Sequence, residues 1–209
     1  MWGATGNRNG PNSSRLPGNR YQQRLKIARE IGDRWGEGVA LANLGDLQTQ
    51  LKQFPEALEN LQAGLAILQE IGARPVVARV TVMIGQAHFS NGDYPDALAN
   101  LQTALALNRE VCDRGLEDEC YEVLGKVNLK LHQHKEARDC LQRALAISEA
   151  VGTQNTKAEA LKSFADLHQT LGDLSAAQQY CKQALALATE LGIPLQKECE
   201  ALRFKIQNN

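Results

Sequence analysis

Self-similarity at a fixed interval of 40 residues constrains this chain more than any other feature. The triplets LKI (25–27), LAI (65–67), LAL (105–107), LAI (145–147) and LAL (185–187) recur at that spacing, as do Ile31, Ile71, Val111, Val151 and Leu191. Gly45, Gly85, Gly125 and Ala165 form another column in the same register, and Ala57, Ala97, Ala137 and Ala177 a further one. A period of this length means that one supersecondary unit is copied in series, each copy burying its apolar face against the next.

Within a unit, apolar residues fall three and four apart, as in Leu58, Leu61, Leu65 and Leu68, which marks an amphipathic helix. Each unit holds two. The stretches LKQFPEA, SNGDYPDA, LHQHKEA and LGDLSAA interrupt the pattern at equivalent points. Pro55 and Pro95 suit the first turn of a second helix, where a missing N–H costs nothing, and Gly92 and Gly172 suit the left-handed position that ends the first. The spacing predicts helices at 34–52, 55–71, 75–91, 95–111, 114–131, 135–151, 155–171 and 175–191, with a leading half-unit helix at 19–31 and a closing one at 194–206. The units are thus 33–72, 73–112, 113–152 and 153–192, flanked by a half-repeat at 19–32 and a capping helix at 193–209. The final stretch is polar on one side, as a cap with one face in water should be.

Composition agrees with an all-α fold. Only 5% of the 209 residues are aromatic, 43% are hydrophobic, and Ala, Leu, Gln and Glu abound. The formal charge of −1 gives no electrostatic reason for nucleic-acid binding. No segment has 18 consecutive apolar residues, so no membrane span is expected. The five cysteines form no C-x-x-C pair and are odd in number, which suits a reducing, cytoplasmic setting. Residues 1–18, rich in Gly, Asn, Ser and Pro, read as a disordered tail or an expression remnant.

The columns Leu44-Gly45, Ile84-Gly85 and Leu124-Gly125, each followed twelve residues later by Ala57, Ala97 or Ala137, with Phe54 or Tyr94 in the turn between, resemble the tetratricopeptide repeat family. The resemblance covers about 33–192 and half a repeat before it. A 40-residue unit, rather than one of 34, is more similar to the kinesin light chain type and to bacterial signalling arrays. Where the family usually has Tyr three residues after the glycine, this chain has Gln48, His88, Asn128 and His168. HEAT repeats share the period, but the small mid-helix residue and the aromatic turn plug argue against them. The fold implied is a right-handed α-α superhelix of four helical hairpins.

Several residues invite a chemical reading. LKLHQHKEARDC (129–140) brings His132, His134 and Cys140, residue types that ligate zinc, into a short span. In register, however, His134 stands in the plug column of Phe54, Tyr94 and Leu174, His132 in the turn column of Lys52, Gly92 and Gly172, and Cys140 in the variable column of Asn60, Asn100 and Tyr180. These columns do not converge, so an elbow is expected rather than a metal site. Gln48, His88, Asn128 and His168 share one polar column, read as hydrogen bonding between adjacent repeats. Cys120 and Cys181 stand in apolar columns and read as small core residues. No Ser-His-Asp order, phosphate loop or H-E-x-x-H stretch is present, so neither catalysis nor a cofactor is expected.

The resemblance implies a concave groove lined by the first helix of each pair. Its candidate contacts are Val39, Ala42, Asp46 and Thr49; Arg79, Val82, Gln86 and Phe89; Glu119, Glu122, Lys126 and Leu129; and Glu159, Lys162, Asp166 and Gln169. The first half is apolar and the second carries both charges, which suits a peptide or protein partner with an apolar anchor followed by a mixed-charge stretch. Family members that grip the terminal carboxylate of chaperones use a Lys and Asn clamp; here Ala42, Asp46, Met83, Glu119 and Val123 stand in those places, and a carboxylate would meet repulsion. A non-enzymatic interaction scaffold is therefore expected, with a self-associating, end-to-end array or a piece of a larger signalling protein as the alternatives.

Overall fold

A computed structural model describes residues 17–207. Among them are ten α-helices and no strand: α1 Pro17–Ile31, α2 Arg34–Gln50, α3 Phe54–Glu70, α4 Arg74–Asn91, α5 Tyr94–Val111, α6 Arg114–Lys130, α7 His134–Val151, α8 Gln154–Thr170, α9 Leu174–Leu191 and α10 Leu195–Gln207. The expected tail lies mostly outside the described residues; at its end, Pro17 and Gly18 open α1 instead of closing the tail. No helix is long and apolar enough to cross a membrane.

The turns follow from the register. The column after each first helix adopts positive φ at Lys52 (60°), Gly92 (91°), His132 (58°) and Gly172 (80°). The column after each second helix does so at Gly32, Gly72, Gly152 and Gly192, and at Cys112 (57°), where a side chain occupies a conformation that glycine adopts freely. Elsewhere a backbone N–H closes this turn onto a carbonyl five residues back, as Thr153 N does onto Ser148 O at 3.1 Å. At Cys112 the Asn108 side chain takes over: its Oδ1 accepts from Asp113 N and its Nδ2 donates to Asp113 O at 2.8 Å.

The chain divides into two compact units, one ending at Ala87 and the other beginning at His88, within α4. In the first unit α2 lies between α1 and α3. A Cβ at Gly45 would stand 2.6 Å from Leu61 Cγ and 2.8 Å from Ala57 O, and one at Gly64 would stand 2.7 Å from Gly38 O. The helices therefore cross almost backbone to backbone, which requires these residues to be small. In the second unit α6 packs on α5 and α7, and α8 on α7 and α9. A Cβ at Gly125 would stand 2.6 Å from Leu141 Cγ. In the next repeat Ala165 takes the place of Gly125, and the position equivalent to Leu141 holds the smaller Cys181, which lies in the same packed cluster as Ala165.

The closing helix departs from the register. It buries Leu195, Cys199, Leu202 and Ile206 against α8 and α9. Cys199, Leu202 and Ile206 stand one period after Glu159, Lys162 and Asp166, so α10 turns toward the core a face that α8 fills with charge. Phe204 is consequently 68% exposed, although Leu44, Ile84, Leu124 and Phe164 in its column are buried.

Candidate interaction face

In the second unit, α6 touches α8 and α8 touches α10, whereas α5, α7 and α9 make no such contacts with one another among the described residues. The first helices therefore form the tighter, inner layer. Two of their rows meet: Lys126 Nζ donates to Glu159 Oε2 at 2.8 Å and lies 2.8 Å from Glu122 Oε1. Lys162 Nζ lies 3.0 Å from Asp166 Oδ2 and 3.4 Å from Glu198 Oε2. Burial would lower the pKa of both lysines, but the flanking carboxylates outweigh it and hold both ammoniums above the usual lysine value. For the Glu122 carboxyl, burial wins over Lys126 and pushes the pKa up.

The remaining candidate positions differ in access. Phe89, Glu119, Lys126, Leu129, Glu159, Lys162, Asp166 and Gln169 are half-buried in the second unit, as are Val39, Asp46, Thr49 and Gln86 in the first; Arg79 is exposed. Ala42, Val82 and Glu122 are buried, and a partner could reach them only if side chains around them moved. Asp46 Oδ2 accepts from Gln50 Nε2 at 3.0 Å, and burial raises its carboxyl pKa. Phe89 leans on Tyr94, with ring centroids 5.9 Å apart.

The polar column beside this face corrects an expectation. Its members bond within their own hairpin, not between adjacent repeats: Asn60 Nδ2 donates to Gln48 Oε1 at 2.8 Å, and Asn128 Nδ2 points to Cys140 Sγ. Tyr180 stacks on both Phe164 and His168, with centroids 5.0 and 5.3 Å away. Residues twelve apart stand opposite each other across the elbow, which decides the pairing. Besides the Lys126–Glu159 pair, adjacent repeats are joined by Asp118, fully buried on α6, which accepts from the hydroxyls of Thr153 and Thr156 at the start of α8. Thr153 accordingly makes no side-chain cap to its own helix. Sequence reading missed this pair, although an acidic residue in the column of Gly38, Ala78 and Ala158 was a signal for it.

At the elbow, His132 is exposed in the left-handed turn and His134 opens α7, with their rings edge to face at 6.1 Å. Cys140, six residues along α7 from His134, lies about 240° around that helix.

Helical hairpins in register, crossing at a small-residue column and presenting one side-chain row per first helix, define a helical-repeat protein. The chain belongs to the tetratricopeptide repeat family, whose model matches residues 76–150 and 121–190, together more than half its length. A comparison with curated proteins gives no significant match. Among solved structures, BtubC (BKLC) from P. vanneervenii is similar over 94% of this chain and 84% of its own, with a TM-score of 0.73 and 15% identity. Aspartyl phosphate phosphatase F from Bacillus subtilis matches 88% of this chain, which spans 48% of that protein, with a TM-score of 0.76 and 16% identity. A Rap protein complexed with competence and sporulation factor matches 94% of this chain and 59% of its own, with a TM-score of 0.63 and 15% identity. These likenesses concern the fold.

Proposed function

We propose that this chain is a non-enzymatic interaction scaffold that holds a peptide or partner-protein segment against the inner face of its first helices. In the second unit that face comprises Glu119, Glu122, Lys126 and Leu129 of α6 and Glu159, Lys162, Asp166 and Gln169 of α8, with Phe89 ahead of them; Val39, Ala42, Asp46, Thr49, Arg79, Val82 and Gln86 are the corresponding positions of the first unit. The observation that carries the reading is the direct meeting of the α6 and α8 rows, which places long polar side chains on one shared, half-exposed surface. A structural neighbour solved with competence and sporulation factor supports ligand binding by such a fold. The test compares what co-purifies from the native host with the wild type, with Glu159→Ala/Asp166→Ala/Gln169→Ala, and with Arg138→Ala/Gln142→Ala/Lys182→Ala on exposed positions of α7 and α9. Loss of a partner from the first variant alone supports the face, and retention of the same partners by it refutes the face.

End-to-end association is the second reading. The outer side of α1 favours it, because Ile27 and Ile31 are 55% and 71% exposed and line an open cleft of about 320 Å³. Arg24 opposes it. It stands in the column of Gly64, Ala104, Ala144 and Ala184, all buried where paired helices cross, and its length would hold an incoming helix away. Light scattering over a concentration series separates the two, since a mass that stays monomeric removes self-association.

A further inference from the structure

Resting on the reading of the α6 and α8 rows as a binding surface, we propose that the segment held there is cationic, presenting lysine or arginine side chains, rather than one of mixed charge. The two lysines of this surface are already engaged, Lys126 between Glu122 and Glu159, and Lys162 between Asp166 and Glu198. Even with Glu122 left out, because burial disfavours its charge, the three carboxylates of Glu159, Asp166 and Glu198 around two ammoniums leave a net formal charge of −1. Exposure sharpens the imbalance. The side chains of Glu159, Asp166 and Glu198 are 34%, 36% and 63% exposed, whereas those of Lys126 and Lys162 are only 24% and 19% exposed. An arriving segment therefore meets carboxylate oxygens first, and the ammoniums lie behind them.

The consequences for ligands are asymmetric. A carboxylate on the ligand could reach an ammonium only by displacing an internal partner and facing the remaining acids. An ammonium or guanidinium adds a second cation to carboxylates that each have further acceptor sites, and it breaks no existing pair. Burial outweighs Lys126 and, with Glu159 and Glu119, holds the Glu122 carboxyl toward its neutral form; an added cation would favour its ionised form and gain a further acidic partner, whereas an added carboxylate would not.

The experiment uses three labelled helical peptides with one alanine and leucine frame, bearing lysines only, glutamates only, or both alternately. Anisotropy titrations of the full chain are run at low and moderate salt, against wild type and Asp166→Asn/Glu198→Gln, with amide NMR shifts to locate binding. Both substitutions are isosteric at partly exposed positions, and circular dichroism confirms that helix content is retained. The lysine peptide is expected to bind best, to weaken with salt, and to lose about tenfold in affinity in the double variant. Equal binding of the glutamate or alternating peptide at α6 and α8, or no loss in the variant, overturns the cation preference and leaves the face standing. Failure of the lysine peptide to bind also overturns it. Shifts confined to α7 and α9 would instead sink the face itself.

Discussion

The crossing of α6 and α7 permits a prediction with a built-in control. A Cβ at position 125 would stand 2.6 Å from Leu141 Cγ, a contact that can be relieved only if the leucine or the helix moves. Leu141 is fully buried, so it has little room to give. Overpacking of this kind costs about 1–3 kcal/mol, and replacing a mid-helix glycine by alanine returns about 1 kcal/mol of helix propensity. Gly125→Ala should therefore destabilise by about 1 kcal/mol. Leu141→Cys removes buried carbon and leaves a cavity, at about 2–3 kcal/mol. Together the two substitutions recreate the residue types of the next repeat, Ala165 and Cys181, which pack in one cluster. The double variant should then be more stable than the sum of the singles by about 1 kcal/mol or more, a coupling measurable as a double-mutant cycle. Urea unfolding followed by circular dichroism supplies the values, provided that the slope stays constant, because repeat arrays can lose two-state behaviour. Additivity within experimental error would refute the idea that this column is small because its opposite number is large.

Other perturbations test other layers. Cys112→Gly should raise stability by about 1 kcal/mol, because it relieves a left-handed residue that four of five equivalent turns fill with glycine; an unchanged or lower melting temperature would show that Asn108 has already absorbed the strain. Burial raises the Asp118 carboxyl pKa, so the folded state holds its proton more tightly than the unfolded state does. Stability linked to this group is full below the unfolded value, near pH 4, and is lost as pH rises through the folded one. Asp118→Asn should remove that loss, and a variant whose stability falls with pH as steeply as the wild type's over this range would contradict the assignment. His134→Tyr should stabilise the third elbow by filling the plug column, with zinc leaving the wild-type melting temperature unchanged; a rise at one equivalent of zinc, abolished by His132→Ala, would reverse that reading.

Much of the fold is legible because the repeat averages out local ambiguity. A lone LHQHKEARDC could be many things, but its alignment with LKQFPEALEN and SNGDYPDALAN places a turn at His132, and His132 indeed takes positive φ. Helix limits fall within two residues of expectation because glycine, aspartate and proline mark the same points in most units. What escaped the sequence are the properties that depend on which neighbour a side chain finds. Periodicity gives α10 the phase of α8, yet the apolar side of LQKECEALRFKI decides its rotation. Column counting places Glu122, Lys126 and Glu159 on one surface but does not say that Lys126 is held between the other two. Nor does it distinguish bonding across an elbow from bonding between repeats, which settles the role of Asn128 and His168.

The central claim, that the shared row of α6 and α8 receives a partner segment, is tested most directly by amide NMR shifts of the chain with a partner recovered from its native host. The account predicts that perturbations gather at Glu119, Glu122, Lys126 and Leu129 on α6 and at Glu159, Lys162, Asp166 and Gln169 on α8. Perturbations confined to exposed positions of α7 and α9, such as Arg138, Gln142 and Lys182, would contradict it.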